Sequence, residues 1–228
     1  MMRLLRTLTA SVALLSVATC VGGSSTHVSA EIEVIGDFES RTRYEDDTGG
    51  VMGVRWVHRT NGMPVTVLRI QSVPQAFLYG KTPPVSDRGE PHTGAHLLLG
   101  KGRRGKALAA AEDMSLIGST AYSTQSDVVY AWNCTAGNET FHQSVERYLE
   151  ALLLPDYTDE EVRREVCNLG VSRDEATGTL SLDEKGTIYN EMVSSFERRW
   201  TVFHHLQRRV WGADHPNGYS SGGEPGAV

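Results

Sequence analysis

Residues 51–70 read VMGVRWVHRTNGMPVTVLRI. Val51, Val54, Trp56 and His58 fall in a run of strand character up to His58, and Pro64 to Ile70 forms a second run rich in β-branched residues. Between them stands Asn61-Gly62, a pair that accepts the positive backbone φ of a tight hairpin turn. Two strands joined by so short a turn must run antiparallel, because a parallel pair needs a long crossover. This hairpin decides against a doubly wound parallel sheet.

The chain around the hairpin supports the same class. Residues 31–50 are polar and acidic and read as a linker or lead-in strand. Downstream, Thr82-Pro83-Pro84 interrupts regular structure. His92 to Leu99 reads as a helix ending at Gly100, and Ala107 to Ile117 as a second helix. Val128 to Trp132 is β-branched and aromatic, hence a strand. Phe141, Val145, Tyr148, Leu149 and Leu152 then repeat at helical spacing until Pro155. Thr158 and Glu161 form a capping box for the next helix. Val171 to Leu182 reads as strand and turn. A long helix follows, with Ile188, Met192, Phe196, Phe203, Leu206 and Val210 expected inward. The fold class expected is α+β: a layered, mostly antiparallel sheet packed against helices.

Residues 1–30 are read apart from the fold, as a secretory signal. Arg3 and Arg6 precede a short apolar stretch from Leu8 to Val21, and Val28-Ser29-Ala30 offers a small-residue cleavage site. The expected location is therefore secreted or periplasmic. Val17-Ala18-Thr19-Cys20 is a poor lipobox and leaves lipid attachment at Cys20 as the alternative. Removal of the signal leaves 20 basic against 28 acidic residues and two cysteines, Cys134 and Cys167. Export permits a disulfide, but spacing does not say whether the two meet. The 228-residue chain is 39% apolar and 22% charged, a globular composition with no apolar run of membrane-spanning length. Its net charge of −6 gives no global attraction to nucleic acid.

The sharpest chemical pattern is Pro91-His92-Thr93-Gly94-Ala95-His96. Histidines at i and i+4 share a helix face and can hold one metal, which needs at least a third ligand. Gly186-Thr187-Ile188-Tyr189-Asn190-Glu191-Met192 offers one. Glu191 lies between Ile188 and Met192 and is expected to face partly inward, where a carboxylate needs a partner such as a metal ion; a solvated helix acid is the alternative reading. Glu184, seven residues or two helical turns earlier, is expected on the same face and could support a ligand.

Together these segments resemble the N-terminal domain of the pitrilysin/insulinase family of inverted-motif zinc metallopeptidases, in its presequence-protease branch. The family hallmark is His-x-x-Glu-His with a third-ligand Glu on a later helix. Thr82-Pro83-Pro84, the small-residue segment Gly118 to Ser123, the helix-then-proline ending Tyr148 to Pro155, Ile188 to Met192, Asp214-His215-Pro216 and Ser221 to Pro225 are each similar to family segments. The 95 residues from His96 to Glu191 match the longer spacing of that branch. The resemblance spans roughly 54–225. It implies a Zn2+ cofactor on His92, His96 and Glu191, Glu184 as supporting acid, short unfolded peptides as substrates, and residues 51–228 as the peptidase domain truncated at its C-terminal end. It also implies a second half or subunit that completes the working site.

One departure matters chemically. The residue before the second histidine is the family's general base, and here it is Ala95. A methyl group accepts no proton, and loss of general acid–base assistance costs about 10²–10⁴-fold. The chain is thus expected to bind zinc without hydrolysing peptides, either as an inactive metalloendopeptidase or as a non-catalytic subunit that holds peptides. A naturally inactive paralogue and a deliberate removal of the base both account for Ala95. Glu90 and Asp87 are the nearest acids and neither occupies the base position. Gly100 to Ala107 nearly matches a phosphate loop but lacks its final hydroxyl and follows a helix, so it reads as a solvated basic loop. His204 and His205 are adjacent on a helix and point in different directions, so they make a poor metal pair.

Overall fold

Alternating β-branched and aromatic residues build a mixed α/β architecture whose strands are almost all antiparallel. The computed structural model describes residues 32–197 and 201–228, together with the backbone strand β1 (Val12–Leu14). The other strands of the large sheet are β2 (Val34–Ile35), β3 (Phe38–Glu45), β4 (Val51–His58), β5 (Pro64–Leu68), β6 (Gln75–Lys81), β7 (Ile117–Ser123) and β8 (Asp127–Cys134). They lie in the order β2-β3-β4-β5-β1-β6-β8-β7. The predicted hairpin is β4–β5, with Trp56 opposite Val65 and Val54 opposite Val67. Residues 31–50, read as linker or lead-in strand, contribute β2 and β3.

β1 is antiparallel to β6 and meets β5 in parallel at Leu14 and Val65. It falls inside the segment read as a secretory signal. The rest of that segment, with its cleavage site and Cys20, lies outside the described residues.

The core forms where one face of β6 and β8 meets the helices α1 (Glu90–Gly100), α2 (Gly102–Ser115) and α3 (Asn138–Leu153). Period-two alternation puts Val128, Tyr130 and Trp132 on that face, and register sets Ala76 opposite Trp132 and Leu78 opposite Tyr130. Trp132 stacks on Tyr148 at 4.1 Å and donates its indole N–H to Ser144 Oγ at 3.1 Å. Both aromatic rings are almost wholly buried. Burial raises the Tyr148 phenol well above its ordinary pKa, and its hydroxyl donates to Glu112.

The capping box at Thr158 opens α4 (Asp159–Val166) as predicted. β9 (Asn168–Arg173) and β10 (Leu180–Lys185) form a separate antiparallel hairpin. Within the segment expected to be one long helix, the described residues contain α5 (Thr187–Ser195) and α6 (Thr201–Trp211). Ile188 and Met192 are buried, but Phe203, Leu206 and Val210 are 49%, 58% and 66% exposed. The apolar phase of α5 does not carry into α6, where the buried residue is His204 instead.

The basic segment from Gly102 to Lys106 is the first turn of α2 rather than a solvated loop. Glycine suits position 102 on two counts: its φ is left-handed at 67°, and a Cβ there would meet Asp156 Oδ1 at 2.5 Å. Asp156 accepts from Arg104 N at 3.1 Å, and Glu161 accepts from Gly102 N at 3.2 Å. The helix-end amides that a phosphate would need are thus occupied by the protein's own carboxylates. Cys134 and Cys167 are both free thiols. Among the described residues, no helix is long and apolar enough to cross a membrane.

Candidate metal centre

Gly89 starts α1 in the left-handed region, with φ 67°, and Pro91 lies in the first turn. A Cβ on Gly89 would stand 2.4 Å from Gly222 O, so the loop at 220–223 closes directly over the helix start. One turn along α1, His92 and His96 project together with ring centroids 4.7 Å apart and planes at 80°. α5 brings Glu191 across from the far side. Its Oε2 lies 3.5 Å from His92 Nε2 and 3.6 Å from His96 Nε2. The three ligand atoms all fall within 4.8 Å of one another.

That spacing fits a metal. Tetrahedral zinc with bonds of about 2.0–2.2 Å separates neighbouring ligand atoms by about 3.3–3.6 Å. The remote Nδ1 atoms fit as well. His92 Nδ1 donates to Gly222 O at 3.0 Å, and His96 Nδ1 donates to Glu165 Oε1 at 2.9 Å. A proton on each Nδ1 leaves each Nε2 lone pair facing Glu191, which is the tautomer a metal ligand needs. His92, His96 and Glu191, the three sequence-predicted ligands, therefore converge into a group able to hold a metal ion.

Two details differ from the sequence reading. Glu191 is not a buried carboxylate. Its side chain is 51% exposed and faces an open cleft. Glu184 is on strand β10, not in the ligand helix, and accepts from the Tyr189 hydroxyl. The carboxylate that supports a ligand is Glu165 of α4. It is 4% exposed, and Lys101 Nζ lies 2.8 Å from its other oxygen. Burial alone would raise its pKa, but hydrogen bonds from Lys101 and His96 outweigh it and the carboxyl is held below its ordinary value. Glu165 stands one helical turn beyond Glu161 of the capping box. That spacing was the available signal that both acids face α1 and α2.

The cleft beside the group has a volume of about 490 Å³. The Ala95 methyl forms part of its wall between the two histidines and is otherwise buried, at 4% exposure. Neither acid weighed as a substitute base is free. Glu90 accepts from Ser86 Oγ at 2.7 Å. Asp87 accepts from Ser220 N and Arg208 Nη1, both at 2.8 Å, and lies 3.2 Å from His204 Nε2. His204 lines the cleft on its own, and the His204–His205 pair has ring centroids 6.3 Å apart. Across from α1, Ala121, Tyr122 and Ser123 of β7 form the other wall. β7 ends the sheet, so its outer backbone edge has no partner strand among the described residues.

Compared with known proteins, the sequence matches no family model and no curated protein.

Proposed function

We propose that the chain is a zinc-holding, peptidase-like domain of the pitrilysin/insulinase type that binds peptides without hydrolysing them. The observation that carries this is the convergence of His92 Nε2, His96 Nε2 and Glu191 Oε2, with both Nδ1 atoms committed elsewhere. A zinc ion there would supply Lewis-acid polarisation and an acidified water. The residues present would hold the ion and fix its position. What they do not supply is a proton acceptor beside it, since Ala95 occupies that place and Glu90 and Asp87 are bound elsewhere.

Peptide as the ligand class is supported by β7. An unpaired strand edge along a cleft wall can take up an extended chain by main-chain hydrogen bonding. A second half or partner subunit would close the open side, and export would place the protein in the periplasm or outside the cell.

The experiment is metal analysis with a peptide assay. The protein should bind one zinc per chain, His92→Ala should abolish that binding, and an unstructured fluorogenic peptide should remain uncut. Chelator-sensitive turnover by the chain as it stands would overturn the role given to Ala95.

A further inference from the structure

The same cleft has a charge pattern that selects its ligand, and the argument rests on the metal-centre reading above. Among the described residues that line the cleft, Glu191 is the one carboxylate and none is a lysine or arginine. Glu165 stands behind His96 and is matched by Lys101 at 2.8 Å. Asp87 is committed to Arg208 and the Ser220 amide. With both imidazoles neutral, a divalent ion facing one carboxylate keeps a net charge of +1. A glutamate at position 95 would cancel it, whereas Ala95 leaves it in place. Near it the wall offers Ser195, Ser221 and Gln207, whose side chains hold no hydrogen bond among the described residues. These are neutral donors beside an uncompensated positive charge.

We infer that the loaded cleft is a receptor for a carboxylate, specifically the C-terminal carboxylate of a peptide whose backbone runs along β7. The absent base is then a gain for binding, because it removes the like charge that an anionic ligand would otherwise meet. No covalent bond is made or broken in this role. With zinc bound, the peptide carboxylate would take the place of a water ligand and accept hydrogen bonds from the wall.

The test uses the full chain loaded with zinc and a short unstructured peptide in two forms, free acid and C-terminal amide, followed by calorimetry. The free acid should bind about 10–100-fold more tightly, the range expected for a charged against a neutral hydrogen-bonding partner. Ala95→Glu should narrow that gap, and Ala95→Gln should keep it. If the larger side chains prevent folding, the acid–amide comparison on the unaltered chain still decides. Equal binding of the two forms overturns the inference. Displacement of the peptide by equimolar acetate overturns the peptide assignment and leaves a small free carboxylate as the ligand. Failure to take up zinc at all would appear before any peptide is added and would remove the metal-centre reading instead.

Discussion

Glu165 shows how a side chain outside the candidate metal group can orient one of its two histidines. It holds His96 by the remote nitrogen and is itself held by Lys101. Outer partners of this kind are worth about 10–100-fold in metal affinity. Glu165→Ala should weaken zinc binding by about that factor, measured by competition with a chromophoric chelator. Glu165→Gln keeps an acceptor for His96 and should lose less. Equal affinity in all three proteins would mean that the contact does not orient the ring. The ligands themselves were legible in the sequence, because i,i+4 histidines declare a shared face. Glu165 was legible only in part: its spacing from Glu161 puts both acids on one face of α4, but which ring that face meets depends on how α4 packs against α1. Glu184 was misplaced for the complementary reason: the helix that would have aligned it with Glu191 begins only at Thr187.

Among the elements, α4 and β8 carry the clearest local chemistry. Thr158 Oγ1 accepts from Glu161 N, while Glu161 accepts from Thr158 N, Gly102 N and Lys106 Nζ. Thr158→Ala should cost about 1 kcal/mol in urea unfolding. The hydrogen bond from Lys106 and the backbone amide of Thr158 lower the Glu161 pKa to about 2. A carboxyl depressed in the folded state contributes stability above its unfolded pKa and loses it as pH falls. The Glu161 contribution should therefore be complete above about pH 4.5 and fade towards pH 2, and Glu161→Gln should flatten that part of the acid-unfolding curve. An unchanged curve would show the bonds to be incidental. In β8, Trp132→Ala removes a ring stacked on Tyr148 and an indole donor, and should cost about 3–5 kcal/mol. Although β8 extends over Asp127–Cys134, beyond the Val128–Trp132 expected, the presence of α3, the start of α4 and the presence of β8 followed from stripe, cap and β-branched content. α6 did not, because helical periodicity alone cannot tell which face of a helix finds a core.

At the scale of the molecule, the antiparallel hairpin was enough to predict layers of sheet and helix, and the site forms where three of those layers' parts meet: α1, α5 and the loop over Gly89. The strand order was not legible, since β1 enters between β5 and β6 from far away in sequence. Processing at Ala30 would remove β1 and leave β5 and β6 without that partner. If the proposed signal is read and cleaved, the intact mass of the mature protein is expected to correspond to a chain starting at Glu31, and a mature chain that retains Met1 would contradict the signal reading.

The central claim is that two imidazoles and one distant carboxylate hold a single ion. Anomalous diffraction from crystals grown with zinc tests it most directly. The account predicts one strong peak within about 2.0–2.2 Å of His92 Nε2, His96 Nε2 and a Glu191 oxygen. Crystals with no peak there, or with zinc held by other side chains, would contradict it.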